Sequence, residues 1–355
     1  MKRILFVTQG DQTTASSRHR VYQFVPLLEK AGWEVVISPA MTAAEYRIMS
    51  LRADPLTRGR QYWRIMMRRF RDLHHVREFD RVVIQRPILP SPWPFMEKNF
   101  ARHNPFIFDY EEAFYLPADS STNIWGEHRQ TQRISDICGL AKKVTGANEI
   151  LADFARGHGT EAHVIPMAID FEKAADAVAR RHPNQTFTIG WFGSGLTQPS
   201  LEKVIPVLKS LHQKAPFTLK LIGGTPHQVT HPFPVEWNHW EMEKENDHLA
   251  SFDMAIAPIA DTPRHRTRTS YRILQYLAHQ VPVLASPVGI QAGELKEGEH
   301  ILYARTPEEW SDKIVMLMKD ESLRIRLATA GRDCVRQNHD HNLVFKKLLQ
   351  VLEAE

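Results

Sequence analysis

The most constraining feature of this chain is its opening. A continuous apolar run, Ile4 to Thr8, ends in Gln9-Gly10, apolar residues recur at helical spacing from Tyr22 to Ala31, and after Gly32 a second apolar run occupies Trp33 to Ser38. Two such strands joined by a crossover helix must lie parallel, because a tight hairpin cannot return the chain to the same end of a sheet. A parallel sheet collects its ligands at the strands' C-terminal ends, so the Gly10 to Arg20 loop is expected to line a binding cleft. Further short apolar runs at Arg81 to Ile84, Pro105 to Phe108, Lys143 to Gly146 and Ala162 to Ile165 leave room for crossovers between them.

At 355 residues the chain is too long for one core. After Pro166 comes a charged stretch, Asp170 to Gln185, and the pattern then restarts: strands at Thr186 to Phe192, Thr218 to Ile222, Met254 to Pro258 and Val281 to Ser286, helices at Pro199 to Lys214, Tyr271 to His279 and Pro307 to Lys319. The predicted organisation is α/β, with two doubly wound parallel-sheet domains facing each other. Residues 1–170 form the first and 171–335 the second, and the helical tail 336–355 packs back across the domain junction.

Composition narrows the setting. Cys138 and Cys334 are the only two cysteines, far apart and without ligand spacing, which argues against a disulfide framework or a zinc site and for a reducing, cytoplasmic compartment. The N-terminal apolar run is short and lacks a small-residue cleavage site, so it reads as a strand, not a leader. No stretch approaches the roughly 20 apolar residues of a membrane-spanning helix. A net charge of +4 does not by itself imply nucleic acid, and no nucleic-acid recognition module is present.

Several loops carry chemistry. Thr269 and Ser270 cap the helix that starts at Tyr271, with Arg268 just upstream, an arrangement suited to a diphosphate because arginine donates through a planar fork and helix N-termini attract anions. Gly193-Ser194-Gly195 with Thr197 lies between strand and helix, where a glycine turn can approach a phosphate, or can be a simple turn. Gly223-Gly224 after its own strand has the same two readings. In the first half, Gly10 with Ser17, Arg18 and Arg20 offers a flexible loop and two positive charges to a phosphate on donor or acceptor. Gln85-Arg86 occupies a similar strand end. The Asp109-Tyr-Glu111-Glu112 segment presents carboxylates able to accept a proton from an attacking hydroxyl, Asp109 foremost. We read it as acceptor binding, with no metal expected, since magnesium ordinarily sits on one or two carboxylates plus substrate phosphates.

Asp261-Thr-Pro, Tyr271-Arg-Ile-Leu-Gln-Tyr-Leu-Ala and Pro282-Val-Leu-Ala-Ser-Pro-Val-Gly289 together resemble the donor-site signature of family-4-type glycosyltransferases (group 1, GT-B fold). Ala15 to Tyr22 resembles that family's N-terminal loop and helix, and Gly190 to Ser194 its first turn in the second domain. The resemblance implies two Rossmann-like domains facing a central cleft. It also implies a retaining, metal-independent, hexosyltransferase-like enzyme of polysaccharide or glycoconjugate biosynthesis. Such an enzyme takes its sugar from a nucleotide-diphosphate sugar and needs no cofactor beyond that substrate. Donor contacts would come from Gly193, Ser194, Thr197, Gly223, Gly224, Thr269, Ser270, Tyr271 and Gln275, with Arg268 and Asp109 catalytic. A glycan, lipid-linked or small-molecule acceptor would meet Gly10, Ser17, Arg18, Arg20 and Glu111. The chain departs from the family pattern at Thr267 and Gln275, where two glutamates are usual, and at Arg272, where a lysine is usual. Those departures keep open a non-catalytic or partner-dependent subunit, and a nucleotide-sugar epimerase on the same scaffold is a further alternative.

Leu51 to Arg81 holds nine arginines against four acids, with Trp63, Ile65, Met66 and Phe70 interleaved. It reads either as a peripheral contact with the inner face of the cell membrane or as a crossover helix that packs its apolar face on the sheet and leaves its arginines in water. His339-Asp-His341 reads as a joint between helices.

Overall fold

A computed structural model describes residues 1–50, 54–89, 91, 93–116, 124–225 and 232–354; Leu51, Arg52 and Ala53, the start of the arginine-rich segment, lie outside the described residues. The chain divides into two units, Met1–Ala168 with Asn342–Glu355, and Ile169–His341.

The first unit is built on β1 (Lys2–Gly10), β2 (Trp33–Met41), β3 (Arg81–Gln85), β4 (Phe106–Tyr110), β5 (Lys143–Gly146) and β6 (Glu161–Val164). All pair in parallel, in the order β2-β1-β3-β4-β5-β6. The order reverses between β1 and β3, so the crevice of this sheet opens at the ends of those two strands. One face of the sheet, with Ile4, Phe6, Val83 and Ile107, packs on Phe24 and Leu28 and on Val344, Leu348, Val351 and Leu352 from the far end of the chain. Arg81 Nε donates to the Leu352 carbonyl at 2.8 Å and closes that contact.

The second unit carries β7 (Thr188–Gly193), β8 (Thr218–Gly223), β9 (Val235–Asn238), β10 (Met254–Ala257), β11 (Val283–Ala285) and β12 (Leu302–Tyr303). These too are all parallel, in the order β12-β11-β10-β7-β8-β9. Here the order reverses between β7 and β10. The two parallel sheets and their crossover helices agree with the architecture read from the sequence.

Local departures have local causes. The helix expected at Pro199 to Lys214 is two helices, Gln198–Glu202 and Ile205–His212, because Pro206 cannot donate into a continuous ladder and instead sits in the first turn of a new helix. The expected Tyr22 to Ala31 helix is a 3-10 turn, Tyr22–Phe24, followed by a helix over Val25–Lys30 with Pro26 in its first turn. β9 and β12 have no counterpart among the expected strands; one is a partly exposed edge strand and the other spans two residues, too little for an apolar run to register.

The Pro55–His75 helix departs from the expected burial in part, for Arg58, Arg60, Arg64 and Arg71 are exposed as expected. It turns Gln61, Ile65, Arg69 and Asp72 inward, and Arg69 is almost fully buried. Its Nη2 donates to the Thr8 carbonyl at 2.7 Å, and its Nη1 to the Ser38 carbonyl at 2.9 Å and to Asp72 Oδ2 at 2.9 Å. Pro39, next to Ser38 in β2, has no N–H to give the sheet, and Arg69 brings donors to carbonyls beside it. The reading as a crossover helix with its arginines in water is corrected at one point: Ile65 packs inward, but with it go Gln61, Arg69 and Asp72, while Trp63 and Phe70 face outward. Arg69→Met, which strands the Asp72 charge, is expected to lower stability by about 3–5 kcal/mol, and Arg69→Met with Asp72→Leu to recover most of that, measured by urea unfolding.

Candidate functional site

In the second unit the reversal point between β7 and β10 brings most of the expected donor residues together. β7 ends at Gly193 and turns through Ser194 to Thr197; the Ser194 amide donates to Thr197 Oγ1 at 3.1 Å, and the Thr197 and Gln198 amides donate back to the Ser194 carbonyl. β8 ends at Gly223 and Gly224 follows it, both left-handed, with φ of 74° and 69°. A Cβ on Gly223 would stand 2.3 Å from the Gly193 carbonyl oxygen, so the two strand ends can lie this close only because glycine is there.

Arg272 fastens the Tyr271–Ala278 helix to that turn. Its Nη1 donates to the Phe192 carbonyl at 3.0 Å and to Thr197 Oγ1 at 3.1 Å. Tyr276, one turn on, accepts from the Phe192 amide at 2.7 Å through its hydroxyl, and burial pushes that phenol up to about 12. Among the described residues no carboxylate pairs with Arg272. Burial pulls its pKa below the ordinary value, Tyr276 opposes, and the nearby charge of Arg268 pulls it further down. Arg272 thus carries a cation onto the turn after β7, close enough to Arg268 for the two charges to act on each other. Sequence reasoning noted Arg272 only as a departure from a pattern; its reach to Phe192, 80 positions back, leaves no local signal.

Arg268 is held by its backbone. Its amide donates to the His265 carbonyl at 3.2 Å, and its own carbonyl accepts from the Ile290 amide at 3.1 Å. Thr269 is buried, and Ser270 is the N-cap of the helix, its amide donating to Gln291 Oε1 at 3.0 Å and its side chain leaving the cap position unused. The Thr267 hydroxyl donates to the Arg264 carbonyl at 2.9 Å. Gln275 is buried, and its amide donates to Glu245 Oε1 at 2.7 Å, while Trp240 Nε1 donates to Glu245 Oε2 at 2.6 Å. Glu245 and Trp240 were missed in the sequence because they meet Gln275 only through folding.

The expected acceptor residues gather within the first unit at the ends of β1, β3 and β4. The Gly10 amide donates to Ser17 Oγ at 3.2 Å, and Ser17 donates to Gln85 Oε1 at 3.1 Å. Arg20 Nε donates to Asp109 Oδ2 at 3.0 Å and its Nη2 to Oδ1, which also accepts from Thr145 at 2.7 Å. Burial works against the Arg20 charge, but Asp109 outweighs it and holds that pKa above the ordinary value. Both Asp109 oxygens are thus engaged within the unit, and Arg20 is buried beside them, whereas Arg18 is only partly buried. Glu111 accepts from Arg86 Nε at 2.7 Å through Oε1, and its buried Oε2 has no hydrogen-bond partner among the described residues. Gln85 Nε2 is likewise buried and unpartnered. Arg86 holds a left-handed backbone, φ 67°, unusual for a residue with a Cβ. Among the described residues no group of three His, Cys, Asp or Glu could hold a metal.

Comparison with known proteins bears on the same architecture. Sucrose-phosphate synthase from Thermosynechococcus elongatus superimposes with a TM-score of 0.72 at 15% identity, over 99% of this chain and 98% of that one. Anabaena HepE, solved with UDP-glucose, gives 0.69 at 13% identity over 99% of both chains. The fold is GT-B. A glycosyltransferase from Rickettsia africae is a third GT-B neighbour, with a TM-score of 0.69 at 12% identity over 99% of this chain and 98% of that one. The glycosyl transferase-like family model matches residues 207–350, which include the Tyr271–Ala278 helix of this GT-B chain. No curated protein matches by sequence.

Burial holds His279 down at about 4, with its Nδ1 2.7 Å from the Gln275 carbonyl and its Nε2 3.0 Å from the Asn246 side-chain amide. A folded pKa below the unfolded value of about 6.5 means that the unfolded chain takes up the proton first. Stability from this group is therefore full above about pH 6.5 and is lost progressively as pH falls toward about 4. Urea midpoints between pH 7.5 and 4.5 are expected to fall more steeply for the natural chain than for His279→Gln. Gly223→Ala, strained at φ 74° and crowding the Gly193 carbonyl, is expected to cost about 1–3 kcal/mol in thermal unfolding.

Proposed function

We propose that this chain is a glycosyltransferase that takes its sugar from a nucleotide-diphosphate donor held by the second unit. The observation that carries the reading is Arg272: a part-buried guanidinium on the β7 turn, with no carboxylate partner among the described residues and a second arginine near enough to depress it. A cation without a carboxylate partner at the end of a strand on the sheet's reversal point, acted on by a second like charge, is an unfavourable arrangement that a diphosphate would relieve. Anabaena HepE, solved with UDP-glucose, and sucrose-phosphate synthase share the GT-B scaffold, which supports the same reading.

In this reading the diphosphate lies against Arg268, Arg272, the Ser194 to Thr197 turn and the start of the Tyr271–Ala278 helix, the ribose meets Gln275 and Glu245, and Gly223-Gly224 adjoins the base. The arginines and helix amides neutralise the charge that develops on the leaving diphosphate, with no metal taking part. The acceptor hydroxyl attacks from the face the diphosphate leaves, which retains configuration. Acceptor binding falls to the first unit, where Gln85 Nε2 and Glu111 Oε2 offer a buried donor and a buried acceptor, complementary to a hydroxyl that can both donate and accept. Glu111 is the better candidate there for taking the hydroxyl proton, because Asp109 is occupied with Arg20 and Thr145.

Calorimetric titration with UDP, GDP and ADP is expected to find one that binds, with Arg268→Ala and Arg272→Met each weakening it at least tenfold. Unchanged affinity in both variants would sink the assignment. Arg268→Ala is further expected to cut sugar transfer by two to four orders of magnitude. A binding-only subunit is the second reading, favoured by the Thr267 hydroxyl being turned to the Arg264 carbonyl; it is distinguished by nucleotide binding without release of the diphosphate from any nucleotide sugar offered with acceptor.

A further inference from the structure

The Pro55–His75 helix presents to solvent a surface that its own unit does not use. Leu56 is 76% exposed, Trp63 64%, and Met67 and Phe70 47% each. At 100° per residue these four fall within about 60° of arc on the side opposite the buried Ile65. Arg60, Arg64 and Arg71 lie along one edge of that stripe. Arg64 approaches Glu45 only at 4.0 Å, and among the described residues Arg60 and Arg71 have no carboxylate partner. The inward side is anchored by the Arg69–Asp72 pair, so the outward apolar stripe plays no part in holding the helix to the sheet.

We propose that this helix seats the first unit on an anionic phospholipid surface. Leu56, Trp63, Met67 and Phe70 enter the headgroup and acyl boundary, and Arg60, Arg64 and Arg71 bind lipid phosphates. A stripe of this kind, apolar with an indole at its centre and basic along its edge, matches the chemistry of a bilayer interface, where indole rings favour the headgroup level and each basic side chain adds attraction to anionic lipid. Charge complementarity selects the occupant. A second copy docking the same stripe antiparallel on itself would bring like arginine edges together, and in any docking would add like charge to like, which opposes association. Among the described residues no helix is long and apolar enough to cross a membrane, so attachment through this helix is peripheral.

The test is flotation of the full chain with phosphatidylcholine vesicles containing about 30% phosphatidylglycerol, and with phosphatidylcholine alone, at low and physiological salt. Binding to the anionic vesicles, weakened by salt, is expected. Arg60→Glu, Arg64→Glu and Arg71→Glu together are expected to lower the partition coefficient at least a hundredfold, since each basic residue near the surface is worth roughly a fivefold factor. Trp63→Ala with Phe70→Ala should weaken binding to both kinds of vesicle while leaving thermal unfolding unchanged. Equal partition of natural chain and arginine variant overturns the proposal. So does failure of the natural chain to float with anionic vesicles, whether it instead forms a dimer that Trp63→Ala disrupts or binds single-stranded nucleic acid.

Discussion

The candidate donor site depends on Arg272. One guanidinium joins the end of β7, at the Phe192 carbonyl and Thr197 hydroxyl, to the first turn of the Tyr271–Ala278 helix. Tyr276 repeats the connection one turn later at the Phe192 amide. Because β7 stands where the strand order reverses, this pair of contacts sets how the glycine turn and the helix start lie relative to one another. A positive charge in that place without a carboxylate partner is a cost to the folded chain that an anionic ligand can offset. Structure and binding chemistry meet at this residue.

The first unit solves a different problem with the same residue type. Arg20 and Arg69 are both buried, and each is matched to a carboxylate and to backbone carbonyls. A buried cation with several acceptors is held in one geometry, which makes these arginines positioning groups for the strand ends around them. Two of the buried polar atoms left without hydrogen-bond partners among the described residues, Gln85 Nε2 and Glu111 Oε2, stand at the strand ends where a doubly wound sheet binds ligands. A buried donor and a buried acceptor left unpartnered at such strand ends are open to a ligand that can both donate and accept.

Much of this architecture was legible from the order of residues. Each apolar run bounded by turn residues or charges named a strand, and Lys143–Gly146 and Pro307–Lys319 were legible residue for residue, because runs and caps are local signals. The cluster at Arg268 to Gln275 could be read as an anion site for the same reason: an arginine and a helix start lie within a few positions, although neither Thr269 nor Ser270 caps the helix through its side chain. Where the reading slipped, the deciding contact was remote. Nothing near Trp63 or Phe70 says that Arg69 will satisfy carbonyls in β1 and β2 and turn the aromatic side outward, and nothing near Gln275 announces Glu245, 30 positions earlier.

By itself, then, the sequence determined that the chain would form parallel sheets with crossover helices and where their glycine turns would fall, since hydrophobic periodicity and turn chemistry act over a few residues. The tertiary structure alone decided that the tail belongs to the first unit from Asn342 onward, that Asp109 holds Arg20, that Arg272 fastens its helix to the β7 turn, and which side of the arginine-rich helix meets solvent. Those outcomes depend on which buried polar group finds which partner. Residues far apart in sequence answer that question, and only when the sheets bring them together.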